Sequence, residues 1–210
     1  MSSRLIEIFE DIKLIEKIKR RLPYLFQLAE LESSRAGKLG MEVGSVRERI
    51  IVALLIYKFG EKNVETEIPI TEPEVDVKLF GESISIKTIT SKNFAGVKLI
   101  WTVDAEKAKE FQTSYRPTSD ILLVQINWSE IGRFYYIPLE AQRSLFNKIG
   151  RQDYIRLPKA GTNPRGVEFT REALLSLIEN RSCKNIAINW QRTRMDFNPY
   201  KRWVDSWGED

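Results

Sequence analysis

A chain of 210 residues is the size of one domain, and 42% hydrophobic with 30% charged residues implies a substantial core under a heavily charged surface. The absence of histidine excludes Ser-His-Asp and Cys-His chemistry and imidazole zinc sites, and the single cysteine, Cys183, excludes an internal disulfide and suits a cytoplasmic protein. A net charge of +4 admits a polyanionic partner without demanding one.

Residues 4–33 carry Leu5, Ile6, Phe9, Ile12, Leu14, Ile15 and Ile18 at mixed three-to-four spacing, which predicts a helix that Pro23 breaks or restarts. The same segment mixes acids and bases too closely for a secretory signal, and no apolar run reaches the roughly 20 residues of a membrane span. Residues 33–45 read as a glycine-containing loop. Ser45 then opens a second helix, with Ser45 and Glu48 at capping-box spacing and Gly60 as its stop. Residues 64–70 alternate like a strand, 74–90 form a hairpin, and 96–104 form a further strand. A short helix follows from Ala105. Residues 121–128 are nearly continuous apolar, the mark of a buried central strand. A strand over 133–139, a helix, a loop over 160–169, a helix from Thr170 with a weak cap and a strand over 184–191 complete the order, before an aromatic and basic tail. The expected fold class is α/β, a mixed central β-sheet flanked by helices with an N-terminal helical segment, and 1–210 forms a single domain.

The hairpin EVDVKLFGESISIKT carries the chemistry. A type II′ turn at Gly81-Glu82 makes facing pairs sum to 163, so Asp76 faces Lys87 with β-carbons roughly 5 Å apart. One face then carries Glu74, Asp76, Lys78, Ser85 and Lys87; the other carries Val75, Val77, Leu79, Ile84 and Ile86. Taken alone, an acid facing a lysine is equally well an ordinary cross-strand ion pair.

Asp76, a hairpin, then Ser85-Ile86-Lys87 resembles the signature of the PD-(D/E)XK nuclease superfamily; within it, the length and the absence of a helicase or methyltransferase segment suggest a type II restriction endonuclease, and the whole is similar to the ThaI-like enzymes. Glu48, on the helix preceding the sheet, resembles a further acid of that family. The element order over 45–128 matches the family's restriction-endonuclease-like core. The resemblance implies a Mg2+-dependent, site-specific endonuclease acting on double-stranded DNA as a homodimer in a prokaryotic cytoplasm. Residues 45–128 would be its catalytic core, 1–44 its N-terminal helical region and 129–210 its recognition part. Asp76 would hold Mg2+ directly, the main-chain carbonyl of Ile86 would add an oxygen, and Lys87 would position the attacking water and contact the phosphate. Ser85 departs from the family pattern by standing where a second acid is usual. Glu48, with Glu74 in reserve, is the candidate for the missing carboxylate.

DNA contacts are expected from Ser91, Lys92, Asn93 and Lys98 beside the site, from Thr162, Asn163 and Arg165 in the loop, and from Arg192 and Arg194 in the tail. Met41 lies between glycines. It either tucks into the core or serves as an apolar wedge between base steps. Two alternatives remain open: a junction resolvase or repair nuclease of the same fold, and a non-catalytic nucleic-acid-binding protein decayed at Ser85.

Overall fold

The computed structural model describes residues 4–35, 38–39, 42–69, 72, 74–90, 92–157 and 166–209. In chain order the elements begin with α1 (Ile6–Glu10) and α2 (Ile12–Glu32), then β1 (Ser34–Arg35) paired with β2 (Lys38–Leu39). Next come α3 (Val43–Phe59), β3 (Val64–Glu65), β4 (Val77–Leu79), β5 (Glu82–Ile89), β6 (Lys98–Ile100) and α4 (Ala105–Ser114). They continue with β7 (Asp120–Gln125), β8 (Ile131–Ile137), α5 (Leu139–Ile149), α6 (Arg151–Tyr154) and β9 (Ile155–Arg156). The last are β10 (Val167–Phe169), α7 (Arg171–Ile178), β11 (Lys184–Asn189) and α8 (Lys201–Trp207).

Among the described residues the main sheet runs β11-β8-β7-β5-β4-β3. Only β5 and β7 in it are parallel. Its two faces bury separate cores. Ile18, Leu22 and Phe26 of α2 and Ile51 and Leu55 of α3 pack against Val77, Ile84, Ile86, Leu122 and Val124. Ala108 of α4 and Ala173, Leu174 and Leu177 of α7 pack with Ile121, Leu123, Tyr135 and Ile137 on the other face. The α/β reading therefore holds, and the 121–128 run supplies the central strand β7, which covers Asp120–Gln125 and is buried along its whole length. No helix among the described residues is long and apolar enough to cross a membrane.

Several local expectations are corrected. Pro23 does not break the first helix: it lies inside α2. A mid-helix proline costs about 3 kcal/mol, and the buried Leu14, Ile18, Leu22 and Phe26 around it, each contributing about 1.5–3 kcal/mol, outweigh that. The break falls instead at Asp11, whose carboxylate caps α2 by accepting from the Leu14 N–H at 3.0 Å. α3 starts at Val43, two residues before Ser45, so the Ser45–Glu48 capping box does not form, and Glu42 at its N-cap makes no side-chain cap bond. Gly60 does end α3, at φ +84°. The cap expected to be weak at Thr170 is made: its hydroxyl accepts from the Ala173 N–H at 3.1 Å. The 64–70 strand shortens to Val64–Glu65. The 96–104 and 160–169 segments contribute β6 and β10 to a separate three-stranded sheet, ordered β6-β10-β9. That sheet was unforeseen, because each of its strands is only two or three residues long.

Candidate active site

The hairpin turn is Phe80-Gly81, at φ +51° and +80°. Two positive values are what a type I′ loop requires, so the type II′ turn at Gly81-Glu82 is corrected. Glycine takes such a backbone readily and phenylalanine does not. Phe80 is held there by an edge contact with Phe59 at 5.9 Å and by Arg4 over its ring at 5.2 Å. The observed pairs are Val77 with Ile84, Lys78 with Ser83 and Leu79 with Glu82, a sum of 161 rather than 163. Both sums are odd, so the paired residues 77–79 and 82–84 keep their expected faces while each partner moves by two residues. Lys87 therefore does not face Asp76 directly: the pairing ends at Val77 and Ile84, and the Asp76 N–H donates to the Ile84 carbonyl at 2.9 Å.

Asp76 lies just outside β4, where it reaches across the end of the ladder with its side chain. Its Oδ2 accepts from the Ile86 N–H at 2.5 Å and from the Ser85 hydroxyl at 3.3 Å, and lies 3.6 Å from the Lys87 Nζ. Oδ1 has no hydrogen-bond partner among the described residues. The N–H and C=O of one strand residue point the same way. The Ile86 N–H aimed at Asp76 thus brings the Ile86 carbonyl to the same side, while its side chain is fully buried.

α3 brings Glu48 to this point. Glu48 and Asp76 line one cleft of about 380 Å3 with Ser45, Arg49, Val52, Ala53, Ile56 and Thr66. No hydrogen bond or ion pair engages the Glu48 carboxylate among the described residues. Burial and the charge of Asp76 raise its pKa to about 7, against an opposing pull from Lys87. Glu74 is also raised to about 7, by burial first and by Asp76, with Lys87 and hydrogen bonds from Thr118 and Tyr115 opposing. Thr118 and Tyr115 lie some forty residues along the chain, and no local pattern marks them as partners of Glu74. Burial and the neighbouring Glu74 push the Tyr115 hydroxyl well above its ordinary range.

Among the described residues no group of three or more Asp, Glu, Cys or His could hold a metal ion on its own. Mg2+ does not need such a cage, since it keeps several waters and binds through one or two carboxylates and substrate phosphate. Asp76 with a spare oxygen, Glu48 without a partner and the Ile86 carbonyl make a hard-oxygen set of that kind. The raised pKa of Glu48 reflects its burial first and the neighbouring Asp76 charge second, with Lys87 opposing.

The expected DNA-contacting residues are spread. Lys92 is exposed and pairs with Glu130 at 2.5 Å. Asn93 is exposed, and its carbonyl accepts from the Arg171 Nε at 3.1 Å. Lys98 pairs with Glu168 at 3.0 Å and lies over Trp101. Arg192 pairs with Glu30 at 2.6 Å and lies over Trp128, while Arg194 is exposed. Met41, Ser91, Thr162, Asn163 and Arg165 lie outside the described residues.

A family model described as restriction endonuclease ThaI matches residues 8–209. Among solved structures, a chain described as "Restriction endonuclease in complex with substrate DNA" is 60% identical. It aligns with a TM-score of 0.92 over 99% of this chain and 100% of that one. A search of curated proteins finds no match.

Proposed function

The chain belongs to the ThaI restriction endonuclease family and is a type II site-specific nuclease, and from that premise we propose that it hydrolyses both strands of a short duplex DNA site at Asp76 and Lys87 with a divalent cation, Mg2+. The observation that carries this is the meeting of Asp76, Lys87 and Glu48 at the open end of the β4–β5 ladder. It is a PD-(D/E)XK site in which Glu48 supplies the carboxylate that Ser85 lacks.

Asp76 and Glu48 hold the cation, with the Ile86 carbonyl as a third oxygen. The cation supplies charge neutralisation at the scissile phosphate and Lewis acidity toward the attacking water. Lys87 contacts the phosphate and orients the water. Its distance of 3.6 Å from Asp76 leaves the ammonium free to turn toward substrate. The Ile86 N–H holds Asp76 in place. Residues 45–128 carry the chemistry of one domain spanning 1–210. Residues 129–210 serve recognition, with Arg192 and Arg194 on the DNA, and Lys92, Asn93 and Lys98 of the catalytic part contact the DNA beside the cut. A palindromic site implies a two-fold homodimer, with the N-terminal helices as its interface, in a prokaryotic cytoplasm. The 60% identical chain bound to substrate DNA favours this reading over a resolvase or a non-catalytic binder.

The test is incubation with plasmid DNA. Discrete fragments are expected in Mg2+ and none after chelation by EDTA. Failure to cut with any divalent cation, or a preference for branched over linear duplex, would overturn the reading.

Ser85 gives a finer expectation. It is buried, and its 3.3 Å bond to Asp76 is far longer than the 2.5 Å bond from Ile86. Losing one weak hydrogen bond is expected to slow cleavage in Ser85→Ala by less than about tenfold. Complete inactivity with an unchanged melting temperature would instead make the hydroxyl a direct participant.

A further inference from the structure

Arg47 precedes Glu48, and it is the first buried residue of α3; the next are Ile51 and Leu55, one turn apart. The position where an apolar anchor belongs is thus held by a guanidinium. Its Nη2 lies 2.5 Å from Glu30 Oε1, with both side chains almost wholly buried, at 6% and 4% exposure. Glu30 also accepts from the Trp128 indole N–H at 2.9 Å and from Arg192 Nη2 at 2.6 Å. One carboxylate therefore joins α2, α3, the β7–β8 connection and the segment after β11. A pair of hydrogen bonds between Gln27 and the Thr193 backbone, at 2.7 and 2.9 Å, fastens that segment beside it.

Among the described residues the start of α3 has little else to hold it. Its N-cap is unsatisfied by any side chain, and no residue from 43 to 46 is buried. A helix start of that kind frays unless packing fixes it. Successive helical residues are turned by about 100°, so the direction of Arg47 sets the direction of Glu48. We propose that the buried Glu30–Arg47 pair positions Glu48 at the site, with Glu30 itself fixed by Trp128 and Arg192. Arg47 and Glu30 are positioning residues, and their role rests on the assignment of Glu48 made above. A buried ion pair is often replaceable by apolar side chains with no loss of stability. Direction, which an apolar contact would leave loose, is what this pair adds.

The variant that tests this is Arg47→Met, which leaves Glu30 its bonds to Arg192 and Trp128. In metal-free protein, amide exchange over residues 44–48 is expected to quicken by about tenfold or more, while 52–58 stays protected. Single-turnover cleavage in Mg2+ is expected to fall roughly 10- to 100-fold. DNA affinity in Ca2+ should stay within about twofold, since no phosphate contact is lost. Added to Glu48→Ala, Arg47→Met should cost nothing further. Wild-type cleavage in Arg47→Met, unchanged exchange, or a full additional loss in the double variant would each overturn the proposal. Arg47→Lys keeps a charge beside Glu30 but loses the guanidinium's reach and fork. It is expected to change exchange and cleavage together and by less, so either change alone, or neither, counts against the pair even where the Met variant does not fold. Wild-type cleavage by Glu48→Ala would remove the assignment of Glu48 itself. A dead Glu48→Ala beside a fully active, folded Arg47→Met would remove only the positioning role.

Discussion

Asp76→Asn and Lys87→Ala are each expected to reduce single-turnover DNA cleavage by roughly 1000-fold or more while leaving the protein folded. Asparagine is the better replacement for Asp76, because its amide oxygen still accepts from the Ile86 N–H that Asp76 now holds at 2.5 Å. Alanine there would leave a backbone donor unsatisfied at about 1–3 kcal/mol and confuse misfolding with lost chemistry. The two variants should separate in DNA binding without Mg2+. Asp76→Asn removes a negative charge from the path of the phosphate and is expected to bind duplex as well as or more tightly than wild type. Lys87→Ala removes one phosphate contact, so the slope of log affinity against log salt should flatten by about 0.9. A folded Asp76→Asn protein that still cuts at the wild-type rate would end the assignment of the site, and an unchanged salt slope in Lys87→Ala would take Lys87 off the phosphate.

What was legible in the sequence followed from patterns of short range. The two-residue alternation of 74–88 places Asp76 and Lys87 on one face and Val77, Ile84 and Ile86 in the core, and the nearly continuous apolar run at 121–128 marks the central strand. The hairpin register was misjudged because a type I′ turn at Phe80-Gly81 puts a phenylalanine at positive φ, which its side chain does not favour locally. It is held from a distance, by contacts with Phe59 and Arg4, 21 and 76 residues away, and by its N–H on the Asn63 carbonyl at 2.9 Å. For the paired residues the face assignment holds through parity alone. The start of α3 was misread for a related reason. Ser45 and Glu48 have the spacing of a cap, yet the helix enters two residues earlier, which frees Glu48 for the cleft. The basic tail marks Arg192 as a DNA contact. Its bond to Glu30, 162 residues distant, has no signature in local sequence.

Glu48→Gln is expected to abolish efficient cleavage and, in the same protein, to raise stability at pH 8 without metal. Burial and the charge of Asp76 lift the Glu48 pKa from its ordinary 4.5 to about 7. A carboxyl whose pKa is higher folded than unfolded favours the native state most below pH 4.5, where it is protonated in both states, and loses that advantage as pH rises through about 7. Ionising Glu48 in the metal-free protein therefore costs stability. The difference between 4.5 and about 7 corresponds to an upper limit of about 3 kcal/mol. Partial solvent access lowers the expected gain to on the order of 1–2 kcal/mol. Glutamine carries no charge to desolvate, so thermal unfolding at pH 8 without metal should show the variant more stable than wild type, and the gap should close near pH 5. Glu74, also raised to about 7, keeps a similar slope in both proteins and cancels from the comparison. Mg2+ should narrow the gap from the other side, because a cation bound to wild type and not to the variant stabilises only the former. A carboxylate that merely ended a helix would give the opposite sign, its loss destabilising the protein at every pH above 5. A Glu48→Gln protein less stable than wild type at pH 8, or equally stable at pH 8 and pH 5, would show that the site holds no such strained acid. The combination of higher metal-free stability with lost cleavage is what a carboxylate kept for a cation, rather than for the fold, must produce.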